Sequence, residues 1–85
     1  MNRIGVVGIV VSDRAAVQSM QSILSDYSDI IVGRMGIPLP ENQLNVISLI
    51  VKGSTERVSA LTGKIGRIGS VNVKSVLNAV DIEEV

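Results

Sequence analysis

The chain switches between two hydrophobic periods, and does so twice, which limits the folds open to it. Ile4–Val11 is a nearly unbroken β-branched run, the pattern of a strand buried on both faces. After it, Val17, Met20, Leu24 and Tyr27 recur at spacings of three, four and three, the apolar stripe of a helix over Arg14–Tyr27. Leu44–Lys52 then reads as a strand, with Ile47, Leu49 and Val51 on one face and Val46, Ser48 and Ile50 on the other. Val58, Leu61, Ile65 and Ile68 form a second stripe at the same spacings. Between these halves a buried strand begins at Ile30, and Val71–Leu77 follows the Gly69-Ser70 turn as the last strand.

The predicted order is strand, helix, strand, strand, helix, strand. This is the split βαβ, ferredoxin-like α+β pattern: a four-stranded antiparallel sheet with both helices on one face. Ser12 and Asp13 stand where they can cap the first helix, and Ser54 or Thr55 can cap the second. Gly63 and Gly66 cost the second helix roughly 1 kcal/mol each against alanine, which predicts a weak or short second half. Pro38, Pro40, Glu41 and Asn42 mark a loop short enough for a hairpin. Residues 1–77 are expected to form one domain, with the acidic tail 78–85 outside its core.

Helices on one face leave the other uncovered, yet the first and third strands carry apolar residues on both. Soluble monomers avoid a contiguous exposed apolar patch, so a homo-oligomer is expected. The alternative is that Val6, Val10, Val46 and Ile50 are ordinary surface aliphatics. Composition favours assembly: 46% of the 85 residues are hydrophobic and Tyr27 is the single aromatic. A chain this small buries only ~60% of its unfolded surface, and there is no cysteine to supply a disulfide.

Several function classes fall away. Without His or Cys the chain lacks the usual ligands for zinc, nickel or copper, so no metal or cofactor is expected. Eight basic and eight acidic residues balance, and the basic ones are scattered, which argues against direct nucleic-acid binding. The apolar runs are too short for a membrane span or a signal segment, so a soluble, cytoplasmic protein is expected. Nucleophilic catalysis would need a Ser–Lys pair, and no spacing suggests one, so the chain reads as no enzyme. Leu61–Gly66 fails the phosphate-loop pattern, because Val58 stands where its first glycine belongs and Ile65 follows Lys64.

Two segments remain as candidate binding sites. In Gly33-Arg34-Met35-Gly36 the glycines either let a ligand or backbone come close, with Arg34 meeting an anion, or mark an edge strand that bulges with Arg34 solvated and Met35 filling a gap. At Ser12-Asp13-Arg14 a strand runs into a helix N-terminus, whose free amides suit an anion unless Ser12 or Asp13 simply caps them.

With its flanks, Gly33–Pro38 resembles a family of small proteins described as iron-only hydrogenase system regulators. These are ACT-like domains, akin to the C-terminal ligand-binding domain of nickel-responsive regulators. The quotable pieces are Arg3–Ile9, Tyr27–Pro38, Val46–Val51, Ala60–Lys64 and Val71–Ser75. The central piece is specific, the others individually weak, and the resemblance covers about Arg3–Leu77. The resemblance implies an ACT-like subunit in a dimer or tetramer, with a regulatory role linked to [FeFe]-hydrogenase. It also implies a small-molecule effector such as an amino acid, bound near Val11–Arg14 and facing Arg34 or Met35 of a neighbour, or else a protein partner. Nickel sensing does not transfer, because its His and Cys ligands are missing. The first strand begins at residue 3, so no ribbon-helix-helix segment is expected before it and transcriptional control would act through a partner. A ligand-free accessory subunit, or an amino-acid feedback subunit of a biosynthetic enzyme, is the rival reading.

Overall fold

The computed structural model describes residues 2–82. The two period switches become β1 (Asn2–Val11), α1 (Ala16–Asp26), β2 (Ile31–Leu39), β3 (Leu44–Gly53), α2 (Thr55–Gly66) and β4 (Val71–Ile82). Short 3-10 turns at Ser28–Ile30 and Pro40–Asn42 flank β2. One antiparallel sheet is ordered β2-β3-β1-β4. β3 therefore splits the first strand–helix–strand unit and β1 splits the second, the predicted ferredoxin-like arrangement.

Residue parity sorts the central strands. Val7, Ile9 and Val11 of β1 and Ile47, Leu49 and Val51 of β3 are buried. They form one core with Met20 and Leu24 of α1 and Val58, Leu61 and Ile65 of α2. The alternate residues face away from both helices. Val6 pairs with Ile50 and with Val76, and these three are 46%, 41% and 73% exposed. Gly8 sits between Ser48 and Lys74 in the next row, then Val10 between Val46 and Asn72. The second face that the sequence loads with apolar residues is thus left open by both helices.

Two glycines are required by close approach. A Cβ on Gly5 would run into Leu77 Cδ2 and lie 2.6 Å from the Val76 carbonyl oxygen, where β4 bulges against β1. One on Gly53 would lie 2.9 Å from Ile30 Cγ2.

Local departures from expectation have physical causes. Ser54 caps α2, its Oγ accepting from the Arg57 N–H at 3.1 Å. Ser12 does not cap α1; its N–H and Oγ donate to the Ser70 carbonyl at 2.9 and 3.1 Å, tying the end of β1 to the turn before β4. Asp13 Oδ1 accepts from the Ala15 N–H at 2.9 Å, so it closes the turn before the helix. α2 runs through Gly63 to Gly66 rather than fading, because Leu61 and Ile65 anchor it in the core. Pro38 lies inside edge strand β2, where a missing N–H is tolerated, so the hairpin loop shrinks to Pro40–Gln43, with Gln43 left-handed at φ 55°.

Two further boundaries move. Ile30-Ile31-Val32 is not a continuous buried strand: Ile30 is buried in the 3-10 turn, while Val32 is 65% exposed at a bulge. β4 extends past Leu77 to Ile82, so part of the expected tail pairs with β1, and Glu83, Glu84 and Val85 lie outside the described residues.

Candidate functional site

A bulge decides what edge strand β2 presents to each side. Ile31 pairs with Val51 on the helix side of the sheet, and Gly33 then pairs with Ile50 on the open side, leaving Val32 extra. An added residue reverses alternation. Arg34 and Gly36 consequently pair with Leu49 and Ile47 on the helix side, whereas Met35 and Ile37 pair with Ser48 and Val46 on the open side.

On the helix side, α1 and β2 enclose an open groove of 560 Å3. Its polar groups include the guanidinium groups of Arg14 and Arg34 and the side-chain amides of Gln18, Gln21 and Asn45. Val17 and Ile47 contribute apolar lining. Arg34 Nη2 donates to Gln21 Oε1 at 2.9 Å, which fixes the guanidinium against α1. No Asp or Glu lines this groove. Two cations, three amides and an apolar wall without a counter-carboxylate suit a small molecule bearing a carboxylate or similar anion.

Two smaller spaces continue the groove. Towards the start of α1, Ser12, Asp13 and Arg14 share a 400 Å3 space with Pro38, Pro40 and Asn45. Towards the end of α1, Gly33 and Arg34 border a 390 Å3 space with Gln21 and Ser28. Of the seven residues singled out in the sequence, the structure brings Ser12, Asp13, Arg14, Gly33, Arg34 and Gly36 to this line of spaces. Met35 is not brought there; it is 60% exposed on the opposite face.

Gln18 and Gln21 escaped the sequence reading. They follow Arg14 at spacings of four and three, a polar stripe beside the apolar one, which is their only local signal. Asn45 is brought in by its pairing with Pro38.

A separate cluster joins the helices. Arg57 Nη1 and Nη2 donate to the two Asp29 carboxylate oxygens at 3.0 and 2.9 Å. The hydrogen bonds from Arg57 hold the Asp29 carboxyl below its ordinary value. The Arg57 guanidinium and the Lys64 ammonium each lie 5.1 Å from the centroid of the buried Tyr27 ring. Among the described residues there is no group of three or more Asp, Glu, His or Cys placed to hold a metal ion, and no helix long and apolar enough to cross a membrane.

The fold has known counterparts. The uncharacterized protein TM1266 from Thermotoga maritima superposes with a TM-score of 0.87 at 32% identity, covering 91% of this chain and 98% of that one. The ACT domain from the GTP pyrophosphokinase of Chlorobium tepidum gives a TM-score of 0.75 at 14% identity, over 89% of this chain and 100% of that one. The divalent ion tolerance protein CutA1 from Ehrlichia chaffeensis gives 0.51 at 14% identity, over 98% of this chain and 88% of that one. The last two likenesses speak for the fold alone. No curated protein matches the chain significantly. Residues 3–75 match the model of the TM1266-like family, described as "Iron-only hydrogenase system regulator, putative", and the chain belongs to that family.

Proposed function

We propose that this protein is a non-enzymatic regulatory module of an iron-only hydrogenase system. In this reading it is an ACT-like homo-oligomer that senses a small molecule in the groove between α1 and β2. The groove itself carries the proposal: Arg14 and Arg34 face a 560 Å3 space that holds no acidic side chain. A carboxylate would engage Arg34, already oriented by Gln21, while the Gln18 and Asn45 amides meet its polar neighbours and Val17 and Ile47 meet an aliphatic part. Amino acids have this chemistry. Ser12 and Asp13 bound the end of the groove without an unpaired helix amide to offer, since Asp13 occupies the Ala15 N–H.

Isothermal titration across amino acids and small carboxylates tests the reading. The wild type should give a saturable isotherm with at least one of them. Arg34→Ala should weaken that binding about tenfold or more, the loss of a charged hydrogen bond, while the thermal midpoint stays put because Arg34 is exposed. Absence of heat with every compound would leave the rival reading, a ligand-free accessory subunit, which the open apolar face favours independently of any ligand.

A further inference from the structure

We propose that the open face of the sheet seats a second copy of this chain, packed sheet against sheet around Gly8 and Ser48. This makes specific the homo-oligomer proposed above and rests on that assembly, not on the ligand of the groove.

The first support is area. Eight large apolar side chains on this face, among them Val6, Val10, Met35, Ile50 and Val76, are each 38–73% exposed. Together they expose on the order of 700 Å2, above the ~300–600 Å2 of the largest patch on a typical monomer and close to the ~800 Å2 per partner of a standard interface.

The second support is shape. Gly8 has no atom within 4 Å of the position a Cβ would take, and no glycine here has a positive φ. Neither packing nor backbone conformation within one copy requires a glycine at this position. Gly33 on the same face is equally free. Gly8 lies beside Ser48, between the Val6–Ile50 row and the Val10–Val46 row. The face therefore carries ridges and a shallow trough side by side, so that two copies can interdigitate. Such self-complementarity is what a two-fold interface demands.

The third support is charge. Among the described side chains of this face Lys52 and Lys74 are the charged ones, at a strand end and on the outer strand β4. An acidic partner would find only these two groups. A second copy instead meets apolar surface with apolar surface and leaves Lys52 at the rim, where interfaces are ordinarily polar. Lys74 stands in the Gly8–Ser48 row on outer strand β4, from which its long side chain can reach water past the sheet edge.

Analytical ultracentrifugation of the full chain, wild type and Gly8→Arg, reads the association directly. The wild type should sediment as a dimer or higher oligomer. A Cβ at position 8 meets no atom within 4 Å in one copy and the rest of an arginine can extend from the open face, so Gly8→Arg should weaken association at least a hundredfold with an unchanged circular dichroism spectrum. Isotope-filtered NMR on mixed labelled and unlabelled wild-type protein is independent of any variant's folding. It should give intermolecular contacts among the methyl groups of Val6, Val10, Val46 and Ile50. Contacts confined to the β2 or β4 edges would overturn the face-to-face packing while leaving a homo-oligomer standing. A wild-type monomer would overturn both.

Discussion

The two faces of this sheet are built from almost the same residue types, yet one is a core and the other a surface. On β3, Ile47, Leu49 and Val51 are buried, while Ile50 between them is 41% exposed. The difference lies in what stands above them: α1 and α2 cover one parity, and no element of the described chain covers the other. Aliphatic content therefore does not announce the inside of a small domain. Two faces that look alike in sequence owe their stability to different events, folding for one and, on the proposal above, association for the other.

That contrast can be broken by paired substitutions. Leu49→Ala removes a fully buried side chain under both helices and should cost about 2–5 kcal/mol of folding stability by chemical denaturation. Ile50→Ala, one residue away, should leave the stability of the dissociated chain within about 1 kcal/mol and register in the association constant instead. Equal costs for the two would erase the distinction between the faces.

The glycines give a second pair. Gly5→Ala drives a Cβ against Leu77 and the Val76 carbonyl, and overpacking of this kind costs about 1–3 kcal/mol. Gly8→Ala meets nothing within 4 Å, so relief of glycine's backbone entropy should stabilise the single chain by up to about 1 kcal/mol. A destabilised Gly8→Ala single chain would place a hidden contact on the open face.

At the turn into β4, Ser70 holds a φ of 66°. Ser70→Gly relieves a left-handed conformation worth about 1 kcal/mol and keeps the carbonyl that Ser12 uses, but the added glycine raises the backbone entropy of the unfolded chain by a similar amount. Thermal unfolding should therefore stay near the wild-type midpoint, and a fall well beyond that entropy cost would assign the Ser70 side chain a structural role.

The smallest effect belongs to the Asp29–Arg57 pair, whose side chains are 61% and 45% exposed. Arg57 depresses the Asp29 pKa in the folded chain. Its contribution is thus present above the unfolded carboxylate pKa of ~3.9 and is lost as pH falls through the still lower folded value. Asp29→Asn should flatten the acid limb of a stability–pH curve and change neutral-pH stability little, since exposed pairs contribute little.

Much of the fold was legible before any coordinates. The three–four–three stripes located both helices, and Ser54 announced the start of the second with a side chain that caps it. Strand parity on β3 anticipated which residues lie in the core. What local pattern misjudged were ends and exceptions: Ser12, which bonds to Ser70 across 58 residues, the stretch after Leu77 that pairs with β1, and Val32, pushed out of register. Each depends on a partner far along the chain, which local propensity does not contain.

The candidate groove divides in the same way. Arg34 and its two neighbouring glycines stood out in the sequence because they violate strand chemistry. Alternation from Ile31 would have turned Gly33 and Met35 towards the helices and Arg34 to the open face. The bulge at Val32 reverses that order, bringing Arg34 to Gln21 and Arg14 and sending Met35 to the open face. By itself the sequence determined the elements, their order and the core parity of β3, because periodicity is a local property of the chain. Only the tertiary structure decided which way Arg34 faces, because a strand's register is set by the strand it pairs with.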